Sequence, residues 1–307
     1  MKNNFKLLLT GLVLLTVFQG CKQKEKKDNL DRFTNNNAQI TVDESFRPIV
    51  DEELYVFKAI YNDVKPRIIY GPESTVINLL LEDTVRIAIL SRDLTKPEYQ
   101  ELATRNLKPI VNRFAIDAVT LIVNQASNDT TITVSDIKKM LNGNTKQDKN
   151  IVFDNPNSGL VRYLKELSGN NDLKQKNIYA LKSNKDVIKY VSENPNAIGI
   201  TGFSWLNDPD KDYADAVAKV KIVSVKDDGA KSKSDQYYAP SQNTLALKQY
   251  PLTRNLYILN CTGNFGLGMK FAAFISSDRG QRIILKSGLL PDEIPGREIN
   301  VVSKIKQ

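Results

Sequence analysis

Histidine is absent from all 307 residues of this chain. Its absence excludes a Ser-His-Asp triad, a Cys-His pair and any metal site built on imidazole. Cysteine occurs only twice, and Cys261 lies in an apolar segment where a small buried thiol is expected. Among hydrolytic enzymes, those that work with a pair of carboxylates remain possible, and no metal or other cofactor is predicted.

Acidic residues are fewer than basic ones, 35 against 43, which gives a formal net charge of +8. The lysines are dispersed along the chain, and no basic run alternates with aromatic residues, so a nucleic-acid surface is not expected. The excess of basic over acidic residues indicates a mild preference for anions. A composition with 41% hydrophobic and 25% charged residues is that of a globular protein with room for two domains.

Leu7–Phe18 is an uncharged segment at the N-terminus, but it is too short for a membrane-spanning helix, which needs about 20 residues. Two lysines precede it, and Gly20 and Cys21 follow it. This order is typical of an export signal, which we assign to residues 1–20.

A small residue before cysteine, placed after such a segment, resembles a bacterial lipobox. Cys21 would then be lipidated and become the first residue of the mature chain. An ordinary signal peptide followed by a spare thiol is the alternative. Residues 21–38 are polar and predict a flexible tether, so a membrane partner through the lipid anchor and a periplasmic or cell-surface location are expected.

Strand, short polar loop and helix follow one another twice after the tether. The predicted strands and helices are Gln39–Val42, a helix near 49–61, Arg67–Tyr70 and a helix over Val76–Leu81. This alternation favours a parallel sheet with crossover helices. Ser45 and Ser74 precede the two helices, where a hydroxyl could cap free backbone N–H groups or join them in holding an anion.

Ile87–Leu90 is an apolar run of four residues that stops at Ser91, Arg92 and Asp93. Short apolar runs suit parallel strands covered on both faces, and ligands of open α/β sheets bind where such strands end. Ser91 and Arg92 are therefore candidates for holding a small anion. The alternative is that Arg92 and Asp93 only solvate the end of a strand.

Ile151–Phe153 is a second buried strand, which ends at Asp154. Helical spacing begins after Ser158 and Gly159, so these two residues are placed at a helix N-terminus. Free N–H groups and the positive end of the helix dipole favour an anion there. Ordinary N-capping by Ser158 is the competing interpretation, while Gly159 has no side chain to block a ligand.

The remaining elements are predicted from spacing and end signals. A capping box of Thr95 and Glu98 should start a helix that runs to about Arg105. The other predicted helices are Ser135–Leu141, Asp186–Ser192, Phe271–Ile275 and Gln281–Leu285, the last two separated at 278–280. The other predicted strands are Lys108–Val111, Ala118–Val123 and Ala197–Gly202, while 207–215, 226–235 and the glycines at 263, 266 and 268 are predicted as loops.

The order of these motifs resembles a family, the PstS-like phosphate-binding proteins of ABC importers, which have the type II periplasmic binding fold. The segments that carry the resemblance are Ile87–Arg92, Asn157–Leu160, Ala197–Gly202, and Tyr250–Arg254 with Gly280 and Gln281. The resemblance runs from about Gln39 to Val301. It implies a two-lobed α/β protein in which each lobe is a mostly parallel sheet flanked by helices, with a two-segment hinge. Lobe 1 would hold 39–116 and 245–307, and lobe 2 would hold 117–244.

The resemblance also implies a ligand and its contacts. Phosphate or a related oxyanion would be captured between the lobes and delivered to ABC permease subunits by a monomeric binding protein that is not an enzyme. The implied contacts are Ser45, Phe46, Ser74, Ser91, Arg92, and Ser158 with the N–H groups of Gly159 and Leu160.

The chain departs from the family pattern in three places. Asp43 and Glu44 stand where small residues are usual, Leu160 replaces a threonine, and Asp154 stands where many members have arginine. Arg162 could supply positive charge, or it could be a solvated helix residue. Asp154 is therefore included among the candidate ligand contacts.

Two other functions are compatible with the sequence. A membrane-tethered sensor or scaffold could keep this fold and present its cleft to a protein partner. A carboxylate-based hydrolase would need Asp93 and Asp154, the acids placed at two strand ends, to act as a pair.

Overall fold

The computed structural model describes residues 31–144, 149–230, 232 and 234–296. The predicted export signal and Cys21 lie outside these residues. Phe33 and Ala38, which the sequence assigns to the end of the tether, are buried. Within the described part of the chain, no helix has both the length and the apolar character needed to cross a membrane.

Helices and strands alternate along most of the described chain. The helices are α1 (Asp31–Thr34), α2 (Arg47–Ile60), α3 (Glu73–Leu81), α4 (Lys96–Thr104), α5 (Val134–Leu141), α6 (Gly159–Ser168), α7 (Asn184–Glu193), α8 (Ser204–Asn207), α9 (Ala214–Val217), α10 (Gln242–Ala246), α11 (Gly266–Ile275) and α12 (Asp278–Lys286), with a 3₁₀ turn at Glu44–Phe46. The strands are β1 (Gln39–Asp43), β2 (Arg67–Gly71), β3 (Ile87–Leu90), β4 (Ile110–Asn124), β5 (Thr131–Thr133), β6 (Asn150–Phe153), β7 (Ile178–Ala180), β8 (Ala197–Gly202), β9 (Val220–Ile222), β10 (Ser224–Lys226), β11 (Thr253–Asn260) and β12 (Leu290–Pro291).

The main sheet has the order β2-β1-β3-β11-β4-β8-β6-β7, and β9 and β12 also pair with β4. Its two flanks are parallel, at β2-β1-β3 and at β8-β6-β7. Its centre is antiparallel, because β11 pairs with both β3 and β4, and β4 pairs with β8. The predicted parallel sheets are therefore joined by antiparallel strands.

The buried strands send alternate side chains to the two faces of the sheet. In β3, Ile87 and Ile89 pack in one apolar cluster, whereas Ala88 and Leu90 pack in another. β6 divides its residues in the same way, with Val152 on the opposite face from its neighbours. Since side chains alternate along a strand, helices must cover both faces, as the uninterrupted apolar runs predict.

β4 is one strand of fifteen residues, so the prediction of two separate strands at 108–111 and 118–123 is wrong. Its first part pairs with β11 as far as Ala118, and from Val119 onward it pairs with β8. Charged residues interrupt the apolar pattern between these parts, and both have partners: Arg113 bonds Asp292 and Asp117 pairs with Arg254.

Several helix ends also differ from the prediction. The break before the last helix falls at Ser277, which caps α12 by accepting a hydrogen bond from the N–H of Gly280. Residues 278–280 are thus the first turn of α12. Gly266 and Gly268 lie in α11 rather than in a loop, and the predicted loop 207–215 contains the beginning of α9. The capping box of Thr95 and Glu98 is confirmed.

Candidate functional site

Three strand ends and one helix start meet at one point. Asp43 ends β1, Ser91 follows β3, Asp154 follows β6 and Gly159 starts α6. A Cβ atom at Gly159 would stand 2.5 Å from Asp43 Oδ2, 2.6 Å from Ser91 Oγ and 2.7 Å from Glu73 Oε2. Only glycine permits so close an approach of three oxygen atoms. We call Asp43, Glu73, Ser91, Asp154 and Gly159 the central cluster.

The N-terminus of α6 donates hydrogen bonds to carboxylates and to its own cap. The Gly159 N–H donates to Asp43 Oδ2 at 3.0 Å. Ser158 Oγ accepts from the Val161 N–H at 3.2 Å and donates to Asp154 Oδ1 at 2.5 Å. Ser158 therefore caps the helix and also contacts the central cluster. The Leu160 side chain is buried in the apolar core, so Leu160 can offer only its backbone.

Asp154 is buried and surrounded by donors. It accepts hydrogen bonds from Ser158, from Ser45 Oγ at 3.2 Å and from Asn184 Nδ2 at 3.0 Å. Burial raises the pKa of Asp154 to about 7, although the Ser158 hydrogen bond opposes the rise. Thr201 donates to Asn184 Oδ1 and so fixes the orientation of the amide. Sequence reasoning missed Asn184, which carries no motif of its own.

Asp43 is buried as well and bonds two backbone N–H groups. Besides Gly159, the N–H of Ser45 donates to its carboxylate, to Oδ1, at 3.0 Å. Burial raises the pKa of Asp43, and the charge of Arg254 opposes the rise. Trp205 Nε1 donates to the Ser45 carbonyl at 2.8 Å and fixes the loop that follows β1.

Glu73 is held between two arginines. Arg162 donates to Glu73 at 2.7 Å and to Ser91 Oγ at 2.9 Å. Arg92 donates to Glu73 at 3.2 Å and makes two bonds of 2.7 Å to Glu98. The side chains of Arg92 and Arg162 are only 20% and 27% exposed, and both form ion pairs with Glu73. Sequence reasoning did not identify Glu73 or Glu98 as partners of these arginines.

Ser74 lies at the edge of the site rather than inside it. It is the second residue of α3, where Pro72 holds the N-cap position, so the predicted cap at Ser74 is wrong. Its N–H donates to the Asn157 carbonyl at 3.3 Å. A groove of about 380 Å³ opens here, and its lining includes Ser74, Arg92 and Arg162. The groove reaches the arginines from solvent.

A buried ion pair lies behind the central cluster. Arg254 donates to Asp117 at 2.9 Å, and both side chains are almost completely buried. The guanidinium of Arg254 stands 4.5 Å from the ring centre of Phe46, which is itself fully buried. A Cβ at Gly202 would stand 3.1 Å from Arg254. The strands β4, β8 and β11 therefore enclose a positive charge that also acts on Asp43.

Comparison with known proteins identifies the family. The model of the PBP superfamily domain matches residues 30–279. The chain belongs to the PBP superfamily. Phosphate-binding protein PstS of Borreliella burgdorferi is 27% identical to this PBP chain over 302 residues, which cover 92% of this chain and 97% of the relative.

Solved structures of PBP relatives show the same fold. A protein from Clostridium perfringens, described as a phosphate ABC transporter substrate-binding protein with bound phosphate, superposes with a TM-score of 0.67 at 24% identity, over 83% of this chain and 99% of that one. An ABC-type phosphate transport receptor from Vibrio cholerae gives 0.60 at 22% identity, over 82% and 98%. The predicted α/β periplasmic binding fold and the resemblance to PstS-like proteins are confirmed.

The acids predicted as a possible hydrolytic pair have different surroundings. Asp93 is exposed and accepts hydrogen bonds from Tyr99 and from the N–H of Leu94, whereas Asp154 is buried among amide and hydroxyl donors. The relatives reported above are binding and transport proteins rather than enzymes. Across the described ranges, no cluster of three or more acidic or cysteine side chains is suited to a metal ion.

Proposed function

We propose that this PBP chain is an extracytoplasmic lipoprotein that captures phosphate or a similar oxyanion and delivers it to an ABC importer. The observation that carries the proposal is the meeting of Ser45, Ser91 and Ser158 with the N-terminus of α6 and with two arginines. Hydroxyl groups, backbone N–H groups and guanidinium groups are the donors that recognise oxyanions in proteins.

The number of donors is sufficient for useful affinity. Each hydrogen bond to a charged group contributes about 1.5–3 kcal/mol, and micromolar binding needs about 8 kcal/mol. Four or five good donors therefore suffice. Arg92 and Arg162 would supply donors on the solvent side, and the Gly159 N–H and Ser158 would supply them on the protein side, once these groups release the carboxylates that they contact.

The proposal includes a hinge between two lobes, 39–116 with 245–307 and 117–244. The change of pairing partner along β4, at Ala118 and Val119, supports a division at this point. Hydrogen bonds from Ser45 to Asp154 and from Arg162 to Glu73 join the two segments across the site. Domain closure around a ligand would form and break contacts of this kind.

A sensor or scaffold with a protein partner is the second candidate. One observation favours it, because the carboxylates of Asp43 and Glu73 already bond donors that an oxyanion would use. Such a protein would keep the PBP fold without needing to bind an anion. A direct binding experiment separates the two candidates.

We expect phosphate to stabilise the folded chain. At a hundred times its dissociation constant, a ligand that binds only the folded state adds about 2.7 kcal/mol to the free energy of unfolding. Melting curves with and without millimolar phosphate measure this effect. The Arg92→Ala variant should lose most of the effect while it keeps the fold, because Arg92 is a guanidinium on the solvent side of the cluster.

Arg105→Ala is the matched control, since Arg105 forms an exposed ion pair with Glu101 on α4. It should respond to phosphate like the unmodified protein. Melting curves that do not move with phosphate, sulfate or arsenate would favour the sensor or scaffold.

The lipid anchor gives a separate prediction. Cys21→Ala should release the exported protein from membranes, because one acyl-modified cysteine is the proposed attachment. Membrane and soluble fractions of cells that produce either form are compared with an antibody. Equal retention of both forms in the membrane fraction would mean that the protein is held there in another way. Cys261→Ala is the control, because Cys261 is buried in the fold.

A further inference from the structure

Asp43 occupies hydrogen-bond donors at the start of α6. One of its oxygens accepts from the Gly159 N–H and the other from the Ser45 N–H, both at 3.0 Å. An incoming oxyanion that used these N–H groups would have to compete with a carboxylate that belongs to the chain.

The Asp43 carboxylate has no contact with water. The residue is fully buried at the end of β1, and Gly159 lacks the Cβ that would push its carboxylate away. The charged groups of the site come from several elements: Glu73 on α3, Arg92 after β3, Asp117 on β4, Asp154 after β6, Arg162 on α6 and Arg254 on β11. The charges of Glu73 and Asp154 both interact with the charge of Asp43.

We infer that Asp43 acts as a resident anion at the start of α6, and that an oxyanion is captured only when Asp43 takes up a proton and releases the Gly159 and Ser45 N–H groups. This inference rests on the proposed function. The proton comes from solvent, or from the ligand itself when the ligand is dihydrogenphosphate. One proton is then gained by the protein for each anion bound, so a bound hydrogenphosphate raises the negative charge of the site by one unit rather than by the two that it carries.

The electrostatics of the site support this coupling. Two negative groups that share the same donors repel each other, and the repulsion is strong where water is excluded. Burial raises the pKa of Asp43, and the neighbouring Glu73 adds to the rise while Arg254 opposes it. A carboxyl group in these surroundings has a raised pKa and can accept the proton at a higher pH than an exposed aspartate.

Phosphate titrations of the full mature chain and of two Asp43 variants, Asp43→Ser and Asp43→Asn, test the inference. Calorimetry from pH 5.5 to 8.5 gives the dissociation constants. The compared quantity is the ratio of unmodified to variant dissociation constants at one pH, because changes in the ligand's own protonation then cancel. Asp43→Ser should bind phosphate at least tenfold more tightly at pH 8, and the ratio should shrink by up to tenfold for each pH unit on acidification.

Comparison of Asp43→Asn with Asp43→Ser separates the effect of the negative charge from the effect of occupying the backbone N–H groups. Asp43→Asn removes the negative charge but leaves an amide oxygen that can still accept from Gly159, so this variant should gain less affinity than Asp43→Ser. Glu44→Gln is the matched control, since it removes one negative charge from the neighbouring position. The dissociation constants of the unmodified protein and of Glu44→Gln should therefore be nearly equal. Titrations in buffers with different heats of ionisation should show about one more proton taken up per anion by the unmodified protein than by Asp43→Ser.

The outcomes distinguish the role of Asp43 from the proposed capture of phosphate. Binding by all forms with a ratio that does not vary with pH overturns the role of Asp43 and leaves phosphate capture intact. Binding by Asp43→Ser alone supports the role of Asp43 and overturns phosphate capture by the natural chain. If no form binds phosphate at any pH, both are overturned. Melting curves of each variant without phosphate check that its fold is retained.

Discussion

Replacing Arg254 with methionine should lower the free energy of unfolding by about 3–5 kcal/mol. The cause is the charge left behind, because Asp117 is completely buried and Arg254 is its ion-pair partner. Removal of one member of a buried pair leaves the other without compensation in a medium that solvates it poorly. The change should also remove the contact between the guanidinium and the Phe46 ring. Urea unfolding at pH 8 measures the loss.

Two further variants test the origin of this loss. The double change Arg254→Met with Asp117→Asn should recover much of the stability, because no charge then remains buried at that point. Arg282→Ala removes an arginine from an exposed pair with Asp278, where about 0.3–0.5 kcal/mol is expected. A loss below about 1 kcal/mol for Arg254→Met alone, with an unchanged denaturant slope, is incompatible with this explanation.

The strand ends of the candidate site could be predicted because their signal is local. Four apolar residues followed by Ser91 and Arg92, and three followed by Asp154, indicate where buried strands stop. The division of Ile87 and Ala88 between two apolar clusters shows the physical reason, since such a strand needs apolar side chains on both faces. The helix start at Gly159 was predicted for a similarly local reason.

The partners of these residues could not be predicted from local patterns. Asp43 bonds Gly159 across 116 positions of sequence, and Arg254 bonds Asp117 across 137. Only the order of strands in the sheet brings such residues together. Asn184 is similar, because its contact with Asp154 depends on how α7 packs beside β6.

β4 shows how the same limitation changes the predicted secondary structure. Arg113 and Asp117 interrupt the apolar pattern, so periodicity predicts two strands with a break between them. In the structure both side chains find ion-pair partners from later in the chain, and one strand continues through the interruption. Arg113 is exposed, whereas Asp117 is buried, and pairing with Arg254 lets the strand continue through that buried charge.

Asp154→Asn is expected to change both the pH dependence of stability and the choice of anion. The pKa of Asp154 rises from 3.8 to about 7 in the folded chain. The folded state therefore retains a proton between these values that the unfolded state has lost, and stability falls as the pH rises through this window. A rise of this size corresponds to about 4 kcal/mol, which the asparagine variant should no longer lose. Urea unfolding at pH 4.5, 6 and 8 measures this difference.

The same carboxylate should discriminate between oxyanions if it faces the bound ligand. When ionised it can accept a hydrogen bond from hydrogenphosphate, whereas sulfate has no proton to donate near neutral pH. A like charge at roughly 4 Å costs about 4 kcal/mol at a dielectric constant of about 20, which exceeds the return from one hydrogen bond. Both dianions meet this repulsion, but only hydrogenphosphate offsets part of it by donating its proton to the carboxylate, so the site should favour phosphate over sulfate.

Calorimetric titrations of both anions at pH 8, where Asp154 is mostly ionised, give the ratio of their affinities. Asp154→Asn should gain sulfate binding relative to phosphate, and Asp172→Asn, which changes an exposed acid, should leave the ratio as it was. The two measurements on Asp154 answer different questions, because the pH dependence of stability reflects the surroundings of Asp154 in the folded chain, whereas the affinity ratio depends on a contact with the ligand. Asp154→Asn could lose the pH dependence of stability and still leave the ratio of sulfate to phosphate affinity unchanged. Asp154 would then support Ser45 and Ser158 without contacting the ligand, and other residues would select between the anions.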